Sequence, residues 1–129
     1  MKIDFFDRSR IPLLDKELDA FALRNRAIAS NISNMDTPDY KRIDVDFQKE
    51  LSSAIADSTN DVDLSKQVED VDPQIEIDQS SVLPGGGNDV SIEQEMADLA
   101  KNQLQFKMAS QLMSETFTLI DKSINGNGD

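Results

Sequence analysis

The fold is decided by residues 91–124, which read SIEQEMADLAKNQLQFKMASQLMSETFTLIDKSI and contain no glycine or proline. Ser91 followed by Gln94 is a capping box that starts a helix, and Asn125 with Gly126 is a typical helix stop. Within the stretch, mostly apolar side chains recur at alternating steps of four and three, the spacing of a coiled-coil seam. This seam consists of Ile92, Met96, Leu99, Gln103, Phe106, Ser110, Met113, Phe117, Ile120 and Ile124.

A second apolar line runs beside the seam and comprises Ala97, Ala100, Leu104, Met108, Leu112 and Leu119. The two lines together form a stripe that is wider than one partner helix can cover. A helix of this length would span ~50 Å, which is too long for the core of a small globule. The stretch therefore predicts a helix that serves assembly with other molecules.

The same two-line pattern predicts an N-terminal helix over about residues 12–35. Pro12 suits the first turn of that helix. Pro38 disfavours helical geometry at Thr37, so a turn is expected over residues 36–40. The N-terminal seam consists of Leu14, Leu18, Phe21, Asn25, Ile28, Ile32 and Met35, with Leu13, Ala20, Leu23 and Ala27 beside it.

Three polar residues occupy seam positions, namely Asn25, Gln103 and Ser110. In coiled coils such residues reduce stability but fix the register and the number of partners. The alternative is that they face water or a cavity where the helices diverge. The sequence leaves both interpretations open.

The middle of the chain has a different character. Residues 57–89 carry nine acidic groups and one basic group, and a glycine run near their end is interpreted as a swivel. Residues 74–78 alternate and predict one short strand, and Phe47, Leu51 and Ile55 predict a short helix over about 46–56. The fold class is therefore mainly α, divided into an N-terminal arm (1–11), an N-terminal helix with its turn and short helix (12–56), a flexible acidic insert (57–90) and a C-terminal helix (91–129).

Composition removes several function classes. The 129 residues include no cysteine and no histidine, and the net charge is −12. The commonest general base and the thiolate ligands are therefore absent, and we predict no enzymatic activity, cofactor or metal. An EF-hand-like spacing from Asp57 to Asp63 lacks the glycine and the bidentate glutamate of that loop. An acidic chain is a poor ligand for nucleic acid, and no apolar run predicts membrane insertion.

Two charged segments have simple interpretations. Met1 to Arg10 is charged at five of ten positions and lacks the apolar core of a cleavable secretory signal. Glu93, Glu95 and Asp98 lie near the start of the C-terminal helix, where negative charge is favourable because of the helix dipole. We therefore interpret these three acids as capping charges.

Residues 30–41, SNISNMDTPDYK, resemble the N-terminal signature of bacterial flagellar axial proteins, which runs approximately Asn-Ile-Ala-Asn, two residues, Thr-Pro-Gly-Tyr. Ser33 replaces the usual alanine, and Asp39 replaces the usual glycine. Either the turn needs no positive φ at Asp39, or aspartate tolerates it. The run 88–106 extends the likeness, which is greatest to the short proximal-rod members of the family.

The resemblance implies a structural subunit of the flagellar basal-body rod. Its terminal helices would pack together and against neighbours in a tube that crosses the periplasm and transmits torque. Its partners would be copies of itself, other rod subunits, and the inner-membrane ring with its adaptor subunit. Family members pass through the flagellar type III export apparatus without signal cleavage.

The seam and the signature together predict a subunit interface, and the resemblance implies that the Asn31–Tyr40 segment is its contact loop. The alternative function is an acidic helical adaptor or secretion chaperone that masks a partner's apolar helix. The predicted interface consists of Leu14, Leu18, Phe21, Asn25, Ile28, Asn31, Ile32, Asn34, Thr37, Pro38, Tyr40, Met96, Leu99, Gln103, Phe106, Met113, Phe117 and Ile120.

Overall fold

A computed structural model describes residues 3–57, 61–79 and 87–126. The described chain is mainly helical, as the sequence predicts, with two long helices near its ends. Its elements in order are α1 (Ile3–Ser33), β1 (Ile43–Val45), α2 (Gln48–Asp57), α3 (Asp61–Asp70), β2 (Ile75–Ile77) and α4 (Ile92–Asn125).

Helix α4 begins and ends as its sequence predicts. Ser91 is the N-cap, and its hydroxyl accepts a hydrogen bond from the backbone N–H of Gln94 at 3.4 Å. The Gln94 side chain donates to Asp98 instead of completing the capping box. Gly126 ends the helix in the left-handed region at φ 64°, which glycine adopts without steric cost.

Helix α1 begins earlier than the sequence suggested. It starts at Ile3, so the helix already includes most of the expected N-terminal arm, and Pro12 lies inside it. Proline removes one N–H donor from the helix interior, and this loss is not sufficient to end the helix here. Helix α1 ends at Ser33, just before the turn that Pro38 predicted.

Helices α1 and α4 pack along each other in opposite directions, because Asn31 contacts Glu95 whereas Phe21 contacts Asn102. The most buried residues of α4 recur every seven positions, which places them on one line of the helix. They are small or polar and comprise Glu95, Asn102, Ala109 and Thr116.

This buried line lies beside the predicted α4 seam and not on it. Of the seam residues, Ile92, Leu99, Met113 and Ile120 are partly buried, whereas Phe106 on the same heptad line is exposed. At every second seam position, the residue that packs against α1 is the one immediately before the seam residue. One residue corresponds to a rotation of about 100° around the helix. Met96 and Phe117 are consequently exposed, because Glu95 and Thr116 occupy the contact with α1.

A second layer covers the other face of α1. Strands β1 and β2 form an antiparallel pair in which Ile43 lies opposite Ile77. Helix α3 contacts α1, and α2 contacts α3. Their shared core consists of Ala20, Ala27, Val45, Phe47 and Val71, with Leu23, Ile43, Leu51 and Ala54 packed against it.

The acidic insert is more ordered than the sequence suggested. It contributes α3 and the predicted strand β2, and it buries Val68 and Val71. Most of the expected glycine swivel lies outside the described residues. The side line of α1 is therefore covered within the chain, whereas the side line of α4 remains exposed. Within the described helices, no segment has the length and apolarity that a membrane span requires.

Candidate functional site

Asn31 is the centre of the junction between α1, β1 and α4. Its side chain is 0% exposed. Its amide nitrogen donates to the carbonyl of Ile43 at 2.8 Å and to Glu95 Oε2 at 3.1 Å. Its oxygen accepts from the Ile43 N–H at 3.0 Å and from the Tyr40 hydroxyl at 3.2 Å. Every donor and acceptor of the amide is used, so no residue other than asparagine fits this position without loss.

The turn between α1 and β1 is held from both ends. Asn34 and Thr37 are joined by a side-chain hydrogen bond of 3.2 Å. Asn88, which precedes α4, donates to the backbone carbonyls of both residues at 2.8 Å. Asp39 has φ 58°, so aspartate adopts the positive φ that the family's glycine would permit. The signature turn is therefore fixed to the segment that leads into α4.

Arg42 binds acidic side chains from three parts of the chain. Its Nε donates to Glu95 Oε1 at 2.6 Å, and its Nη1 donates to Asp78 Oδ2 at 2.6 Å. Its Nη2 donates to Asp98 Oδ2 at 3.1 Å, and Asp44 Oδ2 lies 3.7 Å from Nη1. We call these five residues the Arg42 cluster. It joins the start of α4 to β1 and to the segment that follows β2.

The electrostatics of the Arg42 cluster follow from its burial. Burial by itself lowers the pKa of Arg42, but the hydrogen bond and charge of Glu95, with those of Asp78 and Asp44, raise the pKa above its ordinary value. Arg42 therefore stays charged at every physiological pH. Glu95 is 0% exposed, so the arginine is the charge that makes its burial tolerable.

A groove lies between α1 and α4, one to two helical turns along α4 from the contacts of Arg42 with Glu95 and Asp98. Asn102 is buried beneath it and donates to the carbonyl of Phe21 at 2.9 Å. The Asn102 Oδ1 atom accepts no hydrogen bond from any described residue. A buried acceptor in this state costs about 1–3 kcal/mol. The residues that line the α1–α4 groove include Phe21, Asn25, Arg26, Asn102, Gln103 and Phe106.

The outer surface of α4 is apolar. Twelve large hydrophobic residues are exposed in the described chain, and eight of them belong to this helix. Four of the eight belong to the second apolar line of the sequence, which lies beside the buried line. We call these four residues the outer stripe, and they are Leu104, Met108, Leu112 and Leu119.

No protein-family model matches the chain. Curated proteins named flagellar basal body rod protein FlgB do match it. The Borrelia hermsii protein is 34% identical over 136 residues, covering 95% of this chain and 97% of that protein. The Bacillus subtilis protein is 30% identical, covering 88% and 91%, and the Escherichia coli protein is 32% identical, covering 72% and 76%.

This chain belongs to the FlgB family. The family likeness that the signature indicated is thereby confirmed. For this FlgB family member, the predicted interface residues fall into three classes of exposure within the single chain. Buried are Leu14, Ile28 and Asn31; partly buried are Leu18, Phe21, Ile32, Asn34, Tyr40, Leu99, Met113 and Ile120; exposed are Asn25, Thr37, Pro38, Met96, Gln103, Phe106 and Phe117.

Several signature residues of this FlgB family member form hydrogen bonds with one another within the single chain. The Asn31 and Tyr40 side chains bind each other, and Tyr40 also lies 3.2 Å from the Ser30 hydroxyl. Thr37 and Pro38 are exposed at the tip of the turn. Residues 35–39 of the predicted contact loop are all exposed, so a neighbouring molecule can reach this part of it.

Sequence reasoning missed four residues of the junction, namely Arg42, Glu95, Asn88 and Asn102. Glu95 was interpreted as a capping charge, whereas it is buried against Arg42. Asn25 and Gln103 are exposed beside the α1–α4 groove, which agrees with the interpretation that they face a cavity. A heptad search that admitted polar residues would have found the line through Glu95 and Asn102.

No group of three potential metal ligands occurs among the described residues.

Proposed function

We propose that this chain is a structural subunit of the flagellar basal-body rod, and that it assembles by burying the outer surface of α4 against neighbouring subunits. The observation that carries this proposal is the exposed apolar surface of α4. The outer stripe alone holds four side chains, each between 52% and 66% exposed. Full burial of one such side chain contributes about 1.5–3 kcal/mol, so contact with neighbours is strongly favoured.

The inner face of α4 supports the same function. The most buried residues at the contact with α1 are Glu95, Asn102, Ala109 and Thr116, and eight large apolar side chains of α4 remain exposed. The Arg42 cluster and Asn31 fix the position of α4 relative to α1, so that each subunit presents its outer stripe in the same orientation. A regular array requires this uniformity, because every subunit must offer the same contact geometry.

The partners we propose are copies of this chain, other rod subunits, and the inner-membrane ring with its adaptor subunit. Family membership supports this set, and it also supports delivery to the periplasm by the flagellar type III export apparatus without signal cleavage. The role is mechanical, namely to transmit torque through a tube, and it requires no catalysis. The exposed tip of the turn at Thr37 and Pro38 would meet a neighbouring subunit.

The test is complementation of a bacterial strain from which the gene for this chain has been deleted. Leu112→Asp places a charge in the outer stripe, and the matched control Ser114→Asp places the same charge on an exposed polar position two residues away. We expect the wild type and the control to restore basal bodies and swimming, and Leu112→Asp to restore neither. Export into the culture medium should be equal for all three chains.

Two results would contradict the proposal. One is normal swimming with Leu112→Asp, which would remove the outer stripe from assembly. The other concerns the purified chain, which should be largely monomeric at low concentration. A compact dimer with the outer stripe covered would instead favour the adaptor or secretion chaperone, since such a protein is stable before it meets its partner.

A further inference from the structure

The α1–α4 groove offers a surface that the outer stripe does not explain. Its floor holds Asn102 Oδ1, which is buried and accepts no hydrogen bond from the described residues. The Asn102 amide donates to the carbonyl of Phe21, so turning the amide over would break that bond and would not satisfy the oxygen. The unused acceptor is thus fixed in place beneath the groove, and a donor that binds there would satisfy it.

The rest of the groove defines the chemistry of a partner. Phe21 and Phe106 line it with apolar surface, and Asn25 and Gln103 add polar side chains. Arg26 is exposed at the groove and forms no ion pair with any side chain in the described part of the chain. A partner that fits would bring an apolar side chain, a hydrogen-bond donor and a carboxylate close together on one surface.

The outer surface of α4 carries this combination. Gln111 and Glu115 are exposed, and a hydrogen bond of 3.1 Å joins the Gln111 amide to Glu115 Oε1. The amide has a second N–H, and the carboxylate has a second oxygen, so both can bind another molecule as well. Met108 and Leu112 of the outer stripe are exposed beside them.

We propose that the α1–α4 groove of one copy binds the outer surface of α4 from a second copy, with Gln111 donating to Asn102 Oδ1 and Glu115 pairing with Arg26. Met108 and Leu112 of the second copy lie against Phe21 and Phe106. This proposal rests on the function proposed above and names the partner and the contact within it.

The contact is head-to-tail, because the groove and the outer surface are different parts of the molecule. Each copy that fills one groove leaves its own groove open to the next copy. Contacts of this kind build rings or open helical filaments, according to whether the rotation between copies closes. The proposal therefore accounts for growth of an array from a single type of contact.

A charge exchange tests the proposal in purified full-length chains by sedimentation at increasing concentration. Arg26→Glu and Glu115→Arg are each expected to weaken self-association at least about tenfold, because like charges then face each other. The double variant restores the attraction and should return close to the wild type. Lys49→Glu and Glu69→Arg are exposed controls that make the same changes of net charge elsewhere.

Cross-linking in basal bodies provides a second measurement, since the natural chain has no cysteine. Cells that express Asn25→Cys together with Gln111→Cys should give a linked dimer of the two chains. Asn25→Cys together with Ser53→Cys, an exposed position on α2, should not. Helix content measured by circular dichroism should be unchanged in every variant, because all the altered residues are exposed.

The outcomes separate the two proposals. If the wild type assembles and restores swimming but the charge variants associate normally, or the double variant stays as weak as the singles, the groove contact is wrong and the rod function stands. If Asn25 and Gln111 fail to cross-link in intact basal bodies, the groove contact is also wrong. If the wild-type chain neither restores basal bodies nor self-associates, the rod function itself fails.

Discussion

Replacing Arg42 with methionine would test the Arg42 cluster most directly, because methionine keeps an extended side chain but removes the charge. Glu95 is 0% exposed, and its other hydrogen-bond partner among the described side chains is the neutral amide of Asn31. The variant leaves this carboxylate buried without a cation, which costs about 3–5 kcal/mol. Small domains unfold with a total free energy of about 5–15 kcal/mol, so Arg42→Met should lose a large fraction of the stability.

The companion variants show why the loss is asymmetric. Glu95→Met should cost less, because Arg42 keeps Asp78 and Asp98, which are both partly exposed to water. The double variant Arg42→Met with Glu95→Met should recover much of the loss, since apolar side chains replace the whole buried pair. Urea unfolding followed by circular dichroism gives the three free energies on one scale.

A surface pair provides the control for this series. Lys16 and Asp72 are joined at 2.9 Å, but the aspartate side chain is 75% exposed. Lys16→Met should therefore cost less than about 1 kcal/mol. The reasoning is refuted if Arg42→Met is no more destabilising than Lys16→Met, or if the double variant is as unstable as Arg42→Met alone.

Three further predictions concern the same fold. Burial raises the pKa of Glu17, because it disfavours the charged carboxylate. The contribution of Glu17 to stability is therefore fully present below its ordinary pKa and is lost as the pH rises and the buried carboxyl ionises. Glu17→Gln, which is always neutral, should raise the melting temperature at pH 7, and the gain should disappear below pH 4.5. Val68→Ala removes a side chain that is 1% exposed and should cost about 2 kcal/mol in urea unfolding. Asn88→Ala removes two hydrogen bonds to the signature turn and should cost about 1–3 kcal/mol, with faster amide exchange over residues 34–40.

Each of these predictions has a control and a contrary result. Glu69→Gln, at an exposed position, should leave the melting temperature nearly unchanged, and an equal gain for Glu17→Gln at pH 4 and pH 7 would contradict the burial argument. Leu119→Ala should leave urea unfolding unchanged, and a similarly small effect of Val68→Ala would mean that α3 adds nothing to the core. If amide exchange over residues 34–40 stays as slow in Asn88→Ala as in the wild type, the hydrogen bonds from Asn88 are not needed to stabilise the turn.

Local sequence signals predicted the elements that local physics determines. The caps at Ser91 and Gly126 lie next to the helix that they limit, so α4 could be placed to within a residue. The alternation in residues 74–78 likewise predicted β2. Helix α3 was missed because its acidic composition obscured a helical spacing of Leu64, Val68 and Val71, which turn towards α1 and the shared core.

The junction could not be predicted because its partners are distant in the sequence. Arg42 and Glu95 are 53 residues apart, and Asn31 and Glu95 are 64 apart. A glutamate near a helix start has a sufficient local explanation as a capping charge, so nothing in its neighbours indicates burial. The same local criterion selected the most apolar heptad lines of α4, so it did not find the more polar line that faces α1.

The more polar line of α4 that faces α1 points to the principle of this molecule. In a self-contained domain the apolar line of a long helix faces its own core, and the polar line faces water. Helix α4 reverses the first half of this rule, since Glu95, Asn102, Ala109 and Thr116 face α1 while the outer stripe is exposed. Directional hydrogen bonds then fix where α4 lies within the chain, and the less directional apolar surface remains available for joining chains together. A subunit whose α4 buried its apolar line against α1 would be more stable alone, but it would expose less apolar surface for contact with a neighbouring subunit.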